Sequence, residues 1–308
     1  MRIFLQLKIS ILLLLLTTVS CVTQRQVPKT PRNATILKGF EVIADLDLEI
    51  TETSGLETYK GQLITHNDSD AKPVIYFMGT DGNITTQTKF KNMNNVDWED
   101  IAKSKTDLFI ADIGNNYGDR TDLKIYKIPL DQINNSQVQP GLIELEYGAQ
   151  KSFKRQNQKH SFDGEAIVYV KDRLLLFSKD WSDFNTDVYQ LALTNEKQKL
   201  LSAQNIGING LVTGATFNGK NRIVLCGYNS ALQPFAAVLK LGNNGNIALV
   251  ERITLPIDNG AQIEAITYFE SVNNQEVYYL SSEAVNLKLG EDEAKTNGQL
   301  YKMTLKIE

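Results

Sequence analysis

The chain has 308 residues and a formal net charge of −4, from 32 Lys and Arg against 36 Asp and Glu. This mild acidity argues against a nucleic-acid partner, for which a basic stripe would be expected. The only cysteines are Cys21 and Cys226, and the only histidines are His66 and His160. If Cys21 is lipidated, no disulfide can form within the chain, and Cys226 is expected to be a small buried apolar residue.

The N-terminus predicts a secretory signal. Basic Arg2 and Lys8 accompany the apolar run Ile9 to Leu16, which is too short to span a membrane. The run is followed by Thr18-Val19-Ser20-Cys21, which resembles the lipobox of bacterial lipoproteins, with Thr18 in place of the usual leucine. We expect residues 1–20 to be removed as a lipoprotein signal peptide and Cys21 to be lipidated; an ordinary signal peptide is the alternative.

Residues 21–36 predict a flexible tether, because the segment contains prolines and no periodic apolar pattern. Acyl chains on Cys21 would hold the protein on a membrane through buried methylenes. We therefore expect a lipid-anchored protein of the bacterial cell envelope, at the outer membrane. The periplasmic face is favoured over the cell surface, because no acidic run follows Cys21.

Residues 37–308 predict one β domain built from repeats. The pattern Glu-Asp/Ala-Ile recurs at 99–101, 165–167 and 264–266, with degenerate copies at Ser54-Gly55-Leu56 and Gly214-Ala215-Thr216. In four copies a polar residue or glycine follows 13 positions later, as in Glu99 to Asp112 and Glu165 to Ser178. In the fifth copy, the polar insert 270–274 stretches this spacing and fits a turn.

Each copy is completed by further strands in which apolar and polar residues alternate, the mark of one buried face. The strands that follow are Val74–Met78, Lys124–Ile128, Asp187–Leu191, Ala237–Leu241 and Gln299–Met303. Each unit is then a meander of about four strands and roughly 45 to 55 residues, typical of a propeller blade.

This pattern predicts an all-β fold, a single β-propeller of four-stranded blades. Five blades are favoured; six are the alternative, because residues 130–160 could contain an extra blade. A β-sandwich is the less favoured third interpretation. The spare strand at 39–46 is expected to complete the last blade and close the ring.

In a propeller the first strand of every blade lines the central channel, so Glu99, Glu165 and Glu264 are expected to approach its axis. Such carboxylates repel each other unless a cation or hydrogen-bond donors compensate them. Their hard oxygens suit calcium. The structural alternative is that each glutamate accepts backbone N–H bonds from a neighbouring blade. Further candidates at strand ends, for contacts with a ligand, are His66, Asp68, Asn115, Lys179 and Glu283.

Several motifs resemble a group of secreted bacterial propeller proteins, many of them functionally uncharacterised. These motifs are Ser54-Gly55-Leu56, Thr65 to Ser69, Asp97 to Ala102, Ala111 to Asn116 and Asp163 to Ile167. More remotely, Asp-x-Glu-x-Ile is similar to repeats of phytase-like and gluconolactonase or paraoxonase propellers. That resemblance implies calcium in the channel and hydrolysis of phosphoesters, lactones or esters.

Under a calcium-lactonase interpretation, Glu99, Glu165 and Glu264 would hold the metal, with Asn67 or Asp112 completing the ligand shell. The paired histidines of the paraoxonase pattern are not evident in this sequence. A phytase-like interpretation would need Lys and Arg residues that bind phosphate beside the metal, and Lys179 and Arg120 are the only suggestive candidates. Whether the protein is an enzyme therefore stays open.

Two functions of different class follow. The first is a membrane-anchored, extracytoplasmic propeller, expected to be a monomer, that binds a small molecule, glycan or protein partner at the channel mouth. The second is a calcium-dependent hydrolase of a lactone, ester or phosphoester. Beyond calcium, no cofactor is expected.

Overall fold

The computed structural model describes residues 36–69, 71–258, 260–289 and 292–306. These residues form 23 β-strands and no helix. None of them therefore belongs to a helix that could cross a membrane. The predicted signal peptide, the lipidated Cys21 and the tether up to residue 35 lie outside the described residues.

Five antiparallel sheets, one of them extended by a short parallel strand, form the blades, and the strand that begins at a copy of the repeated motif is the inner strand of each. Strand β1 (Ile36–Asp45) comes first in the chain but belongs to the last blade. Blade 1 contains β2 (Thr53–Tyr59), β3 (Gln62–Asn67), β4 (Val74–Met78) and β5 (Ile84–Lys89). Blade 2 contains β6 (Trp98–Lys103), β7 (Asp107–Asp112), β8 (Lys124–Pro129) and β9 (Gly141–Tyr147).

The remaining blades follow the same order, with two additions. Blade 3 contains β10 (Asp163–Val170), β11 (Arg173–Lys179), β12 (Thr186–Ala192) and β14 (Gln204–Ile206), while the short β13 (Gln198–Leu200) pairs in parallel with β9. Blade 4 contains β15 (Leu211–Phe217), β16 (Arg222–Tyr228), β17 (Pro234–Leu241) and β18 (Ile247–Thr254). Blade 5 contains β19 (Ile263–Val272), β20 (Gln275–Ser282), β23 (Gln299–Lys306) and β1, with a hairpin of β21 (Val285–Leu289) and β22 (Asp292–Thr296) inserted before β23.

The N-terminal strand closes the ring, as the sequence predicts. β1 pairs with β23 from Ile36↔Lys306 to Asp45↔Gln299, so the outer strand of blade 5 comes from the other end of the chain. The amide of Leu46 extends the pairing by donating to the Gly298 carbonyl at 2.7 Å. This closure covers an edge of β23 that would otherwise be free to pair with another chain.

Five apolar clusters fill the spaces between neighbouring blades, one at each of the five junctions. Trp98 illustrates the packing: it is fully buried between blades 1 and 2, where its ring meets those of His66 and Tyr126. Residues 130–160 contain β9 and turns, so they hold no sixth blade, and the favoured five-bladed prediction is confirmed.

Every inner strand carries a β-bulge close to its start. The extra residue is Gly55, Glu99, Glu165, Thr213 or Glu264 in blades 1 to 5. A bulge inserts one unpaired residue and re-aims its side chain. The three repeated glutamates therefore occupy one structural position. The predicted alignment of the two degenerate copies is wrong by one residue. In blade 1 the bulge residue is Gly55 rather than Ser54, and in blade 4 it is Thr213 rather than Gly214.

Asp100 accepts the backbone N–H bond from a neighbouring blade that the structural alternative expects of the glutamates. Its fully buried carboxyl accepts hydrogen bonds from the amides of Ile101, in its own blade, and Ile167, in blade 3, both at 2.8 Å. Burial raises the pKa of Asp100 well above its usual range, against the lowering effect of these backbone bonds. Asp100 thus ties two inner strands together at the channel.

Replacing Asp100 by Ala should lower the free energy of unfolding by about 2 to 4 kcal/mol, because two buried N–H groups would lose their acceptor. Asp100→Asn, which keeps one carbonyl oxygen, should lose less. Chemical denaturation of both variants measures the effect, with Asp172→Ala on an exposed turn as the control. Equal stability of Asp100→Ala and the control would show that Asp100 does not hold the blades together.

Candidate functional site

The channel end at which the inner strands begin gathers buried and half-buried acidic side chains. We call this end the acidic mouth and define it by Asp68, Asp97, Glu99, Glu165, Glu264, Glu283 and Lys179. The three glutamates come from the bulges, and Asp68, Lys179 and Glu283 come from the ends of second strands or the loops after them. Antiparallel pairing places the starts of inner strands and the ends of second strands together.

Lys179 is the cation at the centre of this group. Its Nζ lies 3.0 Å from Glu165 Oε2, and both side chains are buried. Burial alone would lower the pKa of Lys179, but the charges of Glu165, Tyr228, Glu264 and Glu99 raise it well above its usual range. Lys179 therefore stays protonated and partly neutralises the mouth.

One lysine does not compensate all of the acids around it. Burial raises the pKa of Glu165 and Glu264, and Lys179 opposes the rise in both. Glu165 is buried, with 1% of its surface exposed, yet its Oε1 has no hydrogen-bond partner among the described residues. A buried acceptor without a donor is costly, so this oxygen marks a position where a proton or a bound cation would stabilise the protein.

A second group of carboxyls lies beside Lys179. Asp68, Asp97 and Glu99 each offer an oxygen, and these oxygens lie within 4.8 Å of one another. Burial, followed by the charges of neighbouring acids, raises the pKa of all three: well above the usual range for Asp68 and Glu99, and to about 7 for Asp97. Such crowding is expected where carboxylates are placed to bind a cation.

Gly114 allows this triad to form. A Cβ at position 114 would overlap Glu99 Oε1 and Asp97 Oδ2, so no other residue fits without moving the two carboxyls. The backbone amides of Ile113 and Gly114 donate to the Asp97 carbonyl at 3.1 and 3.2 Å, which holds the loop before β6 against the end of β7. Oxygen ligands of this kind suit calcium, so the triad fits the expected metal.

Of the predicted metal ligands, Glu99 joins the triad, whereas Glu165 and Glu264 surround Lys179. Asn67 and Asp112 are held by other partners. The Asn67 amide donates to the Glu49 carbonyl at 2.8 Å. Asp112 forms ion pairs with Arg120 at 2.8 Å and Lys124 at 3.1 Å. Asp112 Oδ1 also accepts a hydrogen bond from the Asp97 backbone amide at 3.1 Å, so Asp112 supports the loop that carries Asp97, while Asn67 is tied to the backbone before β2.

The predicted ligand contacts divide in the same way. Asp68, Lys179 and Glu283 lie in the mouth; burial, then Glu264 and Asp68, raises the pKa of Glu283 to about 9. His66 is fully buried against Trp98, and burial lowers its pKa to about 4.

Asn115, the last predicted contact, connects blades 2 and 3. Its backbone amide donates to Asp163 Oδ1 at 2.6 Å, and its side-chain amide donates to the Phe162 carbonyl at 2.8 Å. Its side-chain oxygen accepts a hydrogen bond from the Arg120 amide at 2.9 Å. With its polar groups used in this way, Asn115 shapes the mouth from outside.

Asp97 was not among the predicted site residues. Its position in Asp97-Trp98-Glu99, two residues before a repeated glutamate, is the signal that could have pointed to it. Residues two positions apart in extended chain lie on the same side, so Asp97 can reach the same site as Glu99.

Together, the fold and this site define a five-bladed β-propeller with a carboxylate-rich channel mouth. No protein-family model matches the chain, and no curated protein matches it. Among solved structures, it is similar to the PQQ-bound form of aldose sugar dehydrogenase (Adh) from Streptomyces coelicolor, with a TM-score of 0.50 and 9% identity over 89% of this chain and 100% of that chain. At this identity the similarity shows the β-propeller fold alone.

The raised pKa values predict that the metal-free protein loses stability as the pH rises. A carboxyl with a folded pKa of about 7, such as Asp97, binds its proton more tightly in the folded state than in the unfolded state. Its stabilising contribution is complete below about pH 4 and is lost by about pH 7; Glu283, with a pKa of about 9, extends the loss to higher pH.

Thermal melting between about pH 5 and 9 in metal-free buffer measures this loss. Asp97→Asn should flatten the fall in melting temperature below about pH 7. Asp172→Asn, on an exposed turn, should melt with the same pH profile as the unchanged protein. A melting temperature that is constant over this range would contradict the protonated state of the mouth.

Proposed function

We propose that this protein is a membrane-anchored extracytoplasmic propeller that binds calcium at its acidic mouth and, next to the metal, captures a ligand that carries oxygen donors. The observation that carries the proposal is the triad of Asp68, Asp97 and Glu99, whose oxygens lie within 4.8 Å of one another. The anchor is supported by Ser20-Cys21 at the end of the apolar run.

The charge balance of the mouth suits a divalent cation, which would displace protons from these carboxyls. The six acids of the mouth face one lysine, and Lys179 forms its ion pair with Glu165 rather than with the triad. Calcium accepts six to eight oxygen ligands, so three carboxylates leave coordination positions for water and for a ligand. The unpartnered Asp68 Oδ1 supplies one oxygen that no described side chain or backbone group satisfies.

The surface next to the triad suits an organic ligand. Lys179 Nζ lies 5.2 Å from the centre of the Trp181 ring and 5.7 Å from that of Tyr228. Both rings are half-buried and so keep part of their surface open to solvent. Aromatic rings beside a metal and an ammonium group bind the apolar faces of small molecules or glycans and orient their acidic groups.

A calcium-dependent hydrolase is the second candidate function, and Lys179 is the observation that favours it. A metal held by the triad would polarise a carbonyl or phosphoryl oxygen and lower the pKa of bound water. The Lys179 ammonium, fixed by Glu165 at 3.0 Å, would stabilise negative charge developing on the substrate. Lactones, esters and phosphoesters are the substrate classes that match these groups.

Calcium should raise the melting temperature of the protein from residue 22 onward, because a ligand that binds only the folded state stabilises it. Asp68→Asn and Glu99→Gln should each remove most of the rise, since each deletes one charged ligand of the triad. Calorimetric titration with calcium measures the affinity directly and should show a loss of roughly tenfold or more in each variant.

Glu144→Gln is the matched control, because Glu144 is exposed on β9. Its calcium response should equal that of the unchanged protein. If calcium shifts the melting of none of these proteins, the carboxyls are structural and the proposed metal site is wrong. If the control loses the response as fully as the triad variants, calcium binds elsewhere.

The hydrolase candidate predicts calcium-dependent turnover that requires Lys179. Nitrophenyl acetate, a γ-lactone and nitrophenyl phosphate are suitable substrates. Lys179→Met should lower kcat by roughly 100-fold or more while calcium binding persists, since the lysine acts on the transition state. Calcium binding without turnover of any of these substrates would favour the binding protein over the hydrolase.

A further inference from the structure

The opposite end of the channel contains a cavity of about 870 Å³. It lies where the inner strands end, and residues from all five inner strands line it. The charged lining residues are Lys60, Lys103, Lys105, Lys171, Lys220 and Glu57. We call this cavity the lysine cup; its lining carries a formal excess of four positive charges, in a chain whose net charge is −4.

The lysines come from different blades and converge on the cavity because of the repeat. Lys60, Lys105, Lys171 and Lys220 stand in the turns that join the first and second strands of blades 1 to 4. Lys105, Lys171 and Lys220 are exposed and form no ion pair within the part of the chain that the structure describes. Like charges that converge without partners favour a bound anion.

The one acid of the cup neutralises little of this charge. Lys103 Nζ lies 3.8 Å from Glu57 Oε1, at the far limit of an ion pair. Burial raises the pKa of Glu57, and Lys103 opposes the rise. The remaining lysines therefore face the cavity without a carboxylate of their own in its lining.

A ring of aromatic side chains forms the wall between these lysines. The fourth residue after the bulge is Tyr59, Tyr169, Phe217 or Tyr268 in blades 1, 3, 4 and 5, and Lys103 takes this position in blade 2. The four aromatic residues are half-buried and line the cavity. Each ring also packs against an apolar cluster between blades, so its remaining exposed part is the apolar surface that it offers to the cavity. Lys60 Nζ lies 4.8 Å from the centre of the Tyr59 ring.

We propose that the lysine cup binds a phosphorylated sugar. The cavity volume lies within the range of small-molecule sites, about 300 to 1,000 Å³. The lysine ammonium groups suit phosphate oxygens, and the aromatic wall suits the apolar face of a sugar ring. This site is independent of the acidic mouth, since the two lie at opposite ends of the inner strands.

Fructose 1,6-bisphosphate is a suitable probe, and fructose is its uncharged counterpart. Calorimetric titration in buffer of low ionic strength, depleted of metal by passage over a resin and free of soluble chelator, avoids both calcium at the mouth and a competing anion in the cup. The bisphosphate should bind and fructose should not, and added salt should weaken the binding because the lysines are exposed.

The double variant Lys171→Glu and Lys220→Glu removes the formal charge excess of the cup and should weaken bisphosphate binding by roughly tenfold or more. The matched control is Lys89→Glu with Lys240→Glu, which changes the net charge equally at exposed positions outside the cavity. It should bind as the unchanged protein does.

Three results would overturn the proposal: no bisphosphate binding, equal weakening in both double variants, or equal affinity for fructose. Vesicles of phosphatidylglycerol provide a further comparison. If the protein sediments with these vesicles, the cup variant does not, and the bisphosphate does not bind, then the lysines bind an anionic membrane surface instead. Because the probe contains no metal, these outcomes are distinguishable from failure of the calcium site.

Discussion

The acidic mouth depends on one electrostatic constraint: six carboxyl groups, three buried and three half-buried, share a single buried lysine. The ion pair between Lys179 and Glu165, at 3.0 Å, satisfies only part of this charge. Burial and mutual repulsion raise the pKa of the other carboxyls, so these groups bind protons or a cation more readily than free carboxyls do. The state of the mouth is therefore coupled to pH and to metal, while the closed ring of blades prevents the acids from moving apart.

The repeat made the fold predictable because the bulge position carries the same residue type in three blades. Glu99, Glu165 and Glu264 gave a spacing from which blade length and blade number followed. Blades 1 and 4 have Gly55 and Thr213 at this position, and neither residue type indicates a bulge in the sequence. The predicted alignment of these two copies therefore misses the bulge by one residue, although the strands predicted at Val74–Met78 and Ala237–Leu241 lie within β4 and β17.

The candidate site was predictable only in part, because sequence shows which polar residues end a strand but not what they contact. Asp112 and Asn115 stand at such an end, yet their side chains are occupied by Arg120 and by blade 3. Asp97 has a counterpart in Asp163, two residues before Glu165, but Asp163 accepts hydrogen bonds from Asn115 and Trp181, so the repeat alone does not show which of the two joins the triad. What selects Asp97 for the triad is the path of its loop against Gly114, and this contact between chain segments cannot be read from residue type.

The same inner strands explain why the two channel ends differ so strongly in charge. The bulge residue and the fourth residue after it are separated by about 13 Å of extended chain. Between them lies Asp100, whose carboxyl is bonded to backbone amides of two blades. Substitutions more than about 10 Å apart without shared partners act almost independently. Acids at the mouth and lysines at the cup can therefore be changed independently, without altering the packing at the other end of the channel. Because each inner strand carries both positions, the repeat that places a ring of bulge residues at the mouth also places a ring of residues at the cup.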